Sequence, residues 1–313
     1  MPEHPILPAK TLRNVTATLG IAFAVAGAAG WALQYVFIRV ATDRASGSVP
    51  AAMVVALVTN VVLVVPAVAV WFYPEYDLTP TAVAAFIAAG IAGSLIARIT
   101  QFMSTTTIGA SRTAPVVSTT ALFSAVFAVA FLGETLTAVH GAGIVLVVAG
   151  VAVISYDTAR DGDEADLREA GAALVLPLVS ALALGVEPVF VKTGLDEGVS
   201  PFVGLAVMMA SATVGYLVYV RLTRSVTVRE IRRGPIWWYV GCGVGSTLAL
   251  VGYFLSLALL PVVVVVPIFQ TAPLLVLRVS MVALPQRLDR VTPRLVAAAA
   301  VVVVGTTIVS LST

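Results

Sequence analysis

Long apolar runs, separated by short polar segments, follow one another along the 313-residue chain. At a rise of 1.5 Å per residue, a run of about 20 residues crosses a hydrocarbon core about 30 Å thick. Such runs predict helices, because the strands of a membrane barrel would show short segments of alternating polarity instead. We therefore predict an all-α integral membrane protein with about ten transmembrane helices, at 17–39, 50–73, 81–104, 111–132, 136–156, 170–192, 200–222, 236–259, 262–284 and 291–311.

The most polar segment of the chain, DTARDGDEADLRE, separates the fifth and sixth predicted helices. It divides the chain into residues 1–156, a linker at 157–169, and residues 170–313. QYVFIRVATD, beginning at Gln34, aligns with EPVFVKTGLD, beginning at Glu187, at an offset of 153 residues. An offset of 152 aligns further pairs: Gly93 with Gly245, Phe102 with Phe254 and Pro115 with Pro267. The two long parts of the chain therefore repeat each other.

Each repeat holds five predicted helices, and an odd number makes the second repeat enter the membrane in the opposite direction. Loop charges agree with this inversion. The loop WFYPEYDLTP has no Lys or Arg, whereas its partner, Arg221 to Arg233, has five arginines. The positive-inside rule then places the arginine-rich loop in the cytoplasm and both termini outside, although Lys10 and Arg13 favour the other orientation. Inverted repeats are typical of secondary transporters.

Composition strengthens the membrane assignment and narrows the function. The chain is 59% hydrophobic and 11% charged, with a mean hydropathy of +1.03, whereas soluble domains carry about 25% charged residues. A small, dispersed net charge of +2 gives no indication of nucleic-acid binding. The single cysteine, Cys242, excludes an intrachain disulfide and a cysteine-based metal site. The motifs HExxH, GxSxG and GxxxxGK[ST] are missing, so we predict no enzyme, no primary pump and no cofactor.

The turn FLGETLT, which contains Gly133 and Glu134, is followed by GAGIVLVVAGVAVI, and the preceding helix carries Arg112 and Pro115. These motifs are similar to those of the EamA-like branch of the drug/metabolite transporter superfamily. The second repeat departs from the family pattern, with Pro285-Gln286 where the family often has a second Gly-Glu. The resemblance implies a secondary transporter with a cavity between its repeats that moves small polar or amphipathic metabolites, commonly outward.

Glu187 is the strongest candidate for the transport site. It lies about 7–8 Å along the helix axis from the predicted end of the sixth helix, and charged groups at membrane depth need a cavity or a partner. Pro188 removes one backbone donor and frees the carbonyl of Leu184, which adds an acceptor nearby. Two interpretations remain open: Glu187 binds a proton or a cationic substrate group, or it pairs structurally with a cation or a headgroup.

Other polar residues at membrane depth are candidates for the substrate or ion pathway. Arg98 and Arg278 either bind an anionic group, for example an amino-acid carboxylate, or extend to the interface. Gln270, between Pro267 and Pro273, lies in a broken helix, and such breaks commonly line cavities. The remaining candidates are Gln101, Gln34, Asn60, Trp31 and Tyr253, each of which could instead make an interhelical hydrogen bond or anchor the helix at the interface. Glu134 is predicted to cap the N-terminus of the fifth helix.

The sequence therefore predicts a secondary transporter, an exporter of small metabolites such as amino acids. A channel or a non-transporting membrane scaffold is the alternative, which saturable counterflow would distinguish. The expected partners are a small-molecule substrate and the lipid bilayer, with proton coupling and homodimer formation left open. We expect a multi-pass protein of the plasma membrane, and the high Ala and Val content indicates a GC-rich prokaryotic genome.

Overall fold

A computed structural model of the chain describes residues 9–45, 47–108, 113, 116–159, 174–272, 275, 297, 300–305 and 307–308. These residues form helices joined by short loops, and none of them lies in a strand. The long helices are α1 Ala9–Ala45, α2 Val49–Trp71, α3 Pro80–Ile108, α4 Thr120–Leu132, α5 Ala138–Ala159, α6 Val175–Asp196, α7 Pro201–Thr223, α8 Ile236–Leu259 and α9 Val262–Phe269. A short helix, Val228–Arg233, lies in the loop between α7 and α8.

Six of these helices, α1, α2, α3, α6, α7 and α8, are long and apolar enough to span a membrane. Shorter apolar helices occupy 116–132 and 138–150. The prediction of an all-helical membrane protein is confirmed for the part of the chain described above. The count of ten stays a prediction, because most of the region predicted for the last two helices, 276–296, lies outside the described residues.

Local sequence explains where several helices begin and end. Ser48 and Thr79 cap α2 and α3 by accepting hydrogen bonds from the backbone amides of Ala51 and Ala82, at 3.3 and 3.1 Å. A proline at the first helical turn follows each cap, where its missing amide costs nothing. α4 ends at Gly133, whose φ of 67° lies in the left-handed region that glycine adopts without strain.

Two helices extend further than predicted, which changes the depth of their charged residues. α6 continues to Asp196 rather than residue 192, and α3 continues to Ile108 rather than residue 104. Glu187 therefore lies about 13 Å along the axis from the end of α6, near its middle. The predicted break in the ninth helix is confirmed, because α9 ends at Phe269 and Gln270 begins a turn.

The helices of the two repeats cross at positions without side chains. α1 packs against α8 and α6 packs against α3, so each pair joins one repeat to the other. A Cβ atom added to Gly30 of α1 would lie 2.5 Å from the backbone nitrogen of Ala249 in α8. Small residues allow this close approach of helix backbones, which lipid-exposed proteins use in place of a hydrophobic driving force.

The packing has a two-fold pattern that follows the sequence repeat. If each helix is replaced by its equivalent in the other repeat, the pair α1–α8 becomes α6–α3, α2–α8 becomes α7–α3, and α4–α6 becomes α9–α1. All these contacts are present. The repeats are therefore interlocked, and much of the hydrophobic core lies between them rather than inside either one.

One segment breaks the symmetry between the repeats. Residues Gly90–Ile96 of α3 form a π-helix, whereas α8, its equivalent, is α-helical throughout Ile236–Leu259. The helix predicted over 81–104 lies within Pro80–Ile108, and no sequence pattern indicated the π-helical segment inside it. π-helical segments widen a turn and are frequent at functional sites.

We predict that Gly30→Leu destabilises the protein by about 1–3 kcal/mol or prevents folding, because the new side chain would separate α1 from α8. Gly141→Leu is the matched control, since a Cβ atom at Gly141 of α5 would meet nothing within 4 Å. Thermal unfolding in detergent, followed by fluorescence-detected chromatography, measures both variants. Equal melting temperatures for Gly30→Leu and Gly141→Leu would contradict the close crossing.

Candidate functional site

Glu187 is buried where the two repeats cross. Its side chain is 8% exposed and lies against Gly93, in the π-helical segment of α3. A Cβ atom at residue 93 would overlap the carboxylate, so glycine is what makes room for it. The sequence places Pro188 directly after Glu187 inside α6, and the missing backbone donor loosens the helix at this level. The carboxylate thus lies between a helix of each repeat.

Arg98 lies on α3, five positions after Gly93. Its guanidinium stacks over the ring of Trp31 from α1, with 4.3 Å between the central carbon and the ring centroid. Arg98 is also close enough to Glu187 to interact with it electrostatically. A cation over an aromatic face is stabilised by the ring's electron density. Arg98 therefore has an aromatic support on one repeat and an acidic neighbour on the other.

Gln34 occupies the position equivalent to Glu187, and its environment is related. The backbone of Gln34 crosses Gly245, the equivalent of Gly93, and its amide side chain lies beside the thiol of Cys242. Gln34 is 3% exposed, and its Oε1 atom has no hydrogen-bond partner among the described residues. A buried acceptor without a donor is costly. This atom is available to a hydrogen-bond donor on a bound molecule.

Tyr253 of α8 completes the group. It lies within electrostatic range of Glu187 and packs edge-on against Phe269 at the end of α9, with ring centroids 5.1 Å apart. The structure thus brings together Trp31, Arg98, Glu187 and Tyr253 from α1, α3, α6 and α8. Gln34 lies one turn from Trp31, at the crossing of α1 with α8. Carboxylate, guanidinium and aromatic groups in one place can bind a small molecule that carries both charges and an apolar part.

Other predicted pathway residues have different roles. Asn60 is 2% exposed and joins α2 to α8 through the hydroxyl groups of Ser246 and Thr247, at 2.8 and 2.7 Å. The Gln270 amide donates to the Ser118 carbonyl at 3.3 Å. Because residues 118 and 270 are equivalent at the offset of 152, this bond joins the two repeats at matching positions. Both residues therefore make interhelical hydrogen bonds.

Four further residues complete the comparison with the sequence prediction. Gln101 is half-buried, one turn beyond Arg98 on α3. Lys192 donates to the Leu257 carbonyl at 3.0 Å, and its Nζ atom lies 3.5 Å from the Asp196 Oδ1 atom. Arg278 and Pro115, both predicted from the sequence, lie outside the described residues.

Glu134 caps a different helix from the one predicted. Its two carboxylate oxygens accept hydrogen bonds from the amides of Val262 and Val263, at 2.7 and 3.0 Å, at the start of α9. The start of α5 is instead capped by Thr137, whose hydroxyl accepts from the His140 amide at 3.2 Å. The prediction that Glu134 caps the N-terminus of a helix is confirmed, but the predicted helix, α5, is wrong. The capped helix, α9, is distant from Glu134 in the sequence and adjacent to it only in the fold. Glu134 therefore ties the first repeat to the second.

Two residues of the site were not recognised from the sequence. In the sequence, Gly93 stands out only as the repeat partner of Gly245, and Cys242 only as the single cysteine. The repeat alignment contained a signal for Gly93, because it pairs Gly93 with Gly245 as it pairs Glu187 with Gln34. The partner of each glycine, however, is on another helix, so the alignment alone does not show the contact.

The architecture defines a class: a multi-pass helical membrane protein of two interlocked repeats with charged residues buried between them. The model of the EamA-like transporter family matches residues 18–156 and 171–311, and the chain belongs to this family. A solved crystal structure of a protein matches with a TM-score of 0.72 and 20% sequence identity, covering 95% of this chain and 97% of the other. That likeness shows the fold. No curated protein matches the sequence.

We predict that Glu134→Ala lowers the free energy of unfolding by about 0.5–2 kcal/mol, the usual cost of removing a helix cap. Glu75→Ala is the control, because Glu75 is an exposed acid in the loop between α2 and α3. Thermal unfolding of the purified variants measures the difference. If Glu134→Ala unfolds at the same temperature as Glu75→Ala, the cap on α9 contributes nothing.

Proposed function

We propose that the protein is a secondary active transporter that exports small polar or amphipathic metabolites, such as amino acids, by alternating access. The observation that carries the proposal is the meeting of opposite charges where the two repeats cross: Glu187 is buried, and the half-buried Arg98 is close enough to interact with it electrostatically. Ionisable groups inside a membrane protein are costly and generally mark substrate or ion pathways. Membership of a transporter family supports the same class of function.

The position of the pair suits alternating access. Arg98 belongs to α3 in the first repeat, Glu187 belongs to α6 in the second, and Trp31 and Tyr253 add one aromatic side chain from each repeat. A rocking motion of one repeat against the other would change the distances among these groups. A bound molecule that bridges these groups would therefore bind one arrangement of the repeats more tightly than the other. Such a difference in affinity is what allows a ligand to shift a conformational equilibrium.

Glu187 is also the proposed proton carrier. Arginine side chains do not give up their proton in proteins. Of Arg98 and Glu187, the residue that can exchange a proton is therefore Glu187. Its equivalent in the first repeat, Gln34, is neutral, which leaves one titratable carboxylate at the crossing. A molecule that displaces the proton from Glu187, or is displaced by it, would couple its own movement to that of the proton. The bilayer of a prokaryotic plasma membrane, with its proton gradient, is the proposed setting.

Counterflow in proteoliposomes tests the carrier directly. Vesicles are preloaded with amino acids and related metabolites in turn, and uptake of the labelled compound is followed with and without a pH gradient. Saturable exchange of one class of compound is expected. If no compound of a broad panel exchanges, the transporter proposal fails in favour of a scaffold, and linear, non-saturating flux would indicate a channel.

For Glu187→Gln we predict that uptake driven by a pH gradient falls at least about tenfold, a change of about 1.4 kcal/mol in the barrier, because the amide cannot carry the proton that Glu187 is proposed to exchange. Glu197→Gln is the matched control, because Glu197 follows α6 and its exposed carboxylate accepts from the Thr79 hydroxyl at 2.9 Å. Full proton-driven uptake in Glu187→Gln, equal to that of Glu197→Gln, would remove Glu187 from coupling while leaving the carrier intact.

For Gly93→Ala we predict a similar loss of transport without loss of folding, because the new methyl group would displace the Glu187 carboxylate. Gly141→Ala is the control for replacing a helical glycine where there is open space. The measurements are the apparent KM for exchange and chromatographic monodispersity. An unchanged KM in folded Gly93→Ala protein would show that the position of Glu187 does not matter for binding.

A further inference from the structure

A second polar site lies at the end of the molecule opposite Glu134. The loop between α1 and α2 meets the loop between α7 and α8 there, and together they enclose a pocket of about 390 Å³. Its lining includes Ser48, Arg229, Arg233 and Tyr239. These residues play no part in the proposed transport site, so the inference below does not rest on the proposed function.

The base of the pocket is rigidly built around Tyr239. This side chain is 1% exposed, and its hydroxyl oxygen accepts a hydrogen bond from the Ser48 amide at 2.9 Å. A Cβ atom at Gly47 or at Gly234 would lie 2.7 or 2.8 Å from the same oxygen, so a glycine in each loop leaves room for it. No described residue accepts the hydroxyl hydrogen, which leaves Tyr239 with a donor available to an occupant.

The short helix Val228–Arg233 holds the two arginines at the pocket. Thr227 and Glu230 form a capping box, in which the Glu230 Oε2 atom accepts from the Thr227 amide at 2.7 Å and from its hydroxyl at 2.9 Å. The bond from the Thr227 amide, and to a smaller extent the bond from its hydroxyl, hold the pKa of the Glu230 carboxyl below its usual range. On its other side, Ile231 packs against the cluster of Ala41, Ala51, Ala52 and Tyr239.

The charges of this loop are unbalanced. It carries five arginines and one acid, Glu230, whose carboxylate is already used by the capping box. None of the five arginines forms an ion pair with any residue that the structure describes. Trp237 and Trp238, at the start of α8, are 83% and 41% exposed, as expected for side chains at the level of lipid headgroups. The pocket therefore opens at the membrane surface with an excess of positive charge.

We propose that this pocket binds the phosphate of an anionic phospholipid headgroup. Arginine presents its donors as a planar fork that matches phosphate oxygens, and Arg229 and Arg233 lie one turn apart on one helix. The Tyr239 hydroxyl adds a neutral donor at the base. A lipid is favoured over a free anion because the exposed tryptophans and Ile236, which is 40% exposed, lie beside the pocket where acyl chains would run. Basic pockets at helix ends are known to hold lipid headgroups.

The test measures lipid binding to the full-length protein in detergent by native mass spectrometry. Phosphatidylglycerol is titrated against Arg229→Gln/Arg233→Gln and against a control, Arg221→Gln/Arg232→Gln, which removes the same charge from the same loop but not from the pocket. Since each basic side chain near an anionic surface strengthens binding roughly fivefold, we expect the pocket variant to bind about 25-fold more weakly. The control should lose less than about fivefold.

Two results would overturn the proposal. Equal losses in the two double variants would mean that the arginines act only through the general charge of the loop. Complete displacement of the lipid by millimolar inorganic phosphate would mean that the pocket recognises a soluble anion rather than a headgroup. Phosphatidylcholine, in which choline cancels the charge of the phosphate, serves as the lipid control and should lose less binding in the pocket variant than phosphatidylglycerol does. Thermal unfolding of both variants without lipid should be unchanged, because the substituted arginines are exposed.

Discussion

Close backbone contact between the two repeats is the constraint on which the rest of the structure depends. At the crossing of α1 with α8, a Cβ atom at Gly30 would overlap the backbone of the facing helix, and at the crossing of α3 with α6, a Cβ atom at Gly93 would overlap the Glu187 side chain. In a membrane, where apolar side chains gain little by leaving lipid, packing and hydrogen bonds hold helices together. The contacts that stabilise the fold therefore also bring polar groups of both repeats to the same depth in the helix bundle. These groups lie between a helix of one repeat and a helix of the other.

The two repeats share a fold and differ in chemistry. At equivalent positions the first repeat has Gln34 where the second has Glu187, and the second has Leu250 where the first has Arg98. α3 has a π-helical segment at Gly93, and α8 does not at Gly245. One of the two symmetry-related crossings thus carries the charged groups while the other carries an amide and a thiol.

Charge also distinguishes the two ends of the molecule. The end that contains the loop between α7 and α8 carries arginines that no described acid neutralises. At the opposite end the polar groups are acidic and are used for capping and loop contacts, as with Glu134 on α9 and Glu197 on Thr79. The central site lies between the two ends and is independent of both.

By itself, the sequence determined the helical class, the membrane location, the repeat and the break after α9, because each depends on local hydropathy, on residue order or on proline. It also indicated Glu187, Arg98, Gln34, Trp31 and Tyr253 as candidates. Only the tertiary structure decided that Trp31, Arg98, Glu187 and Tyr253 meet, that Asn60 and Gln270 bind neighbouring helices, and that Glu134 caps α9. The physical reason is that contacts between helices depend on the rotation and crossing point of each helix, which local sequence patterns do not specify.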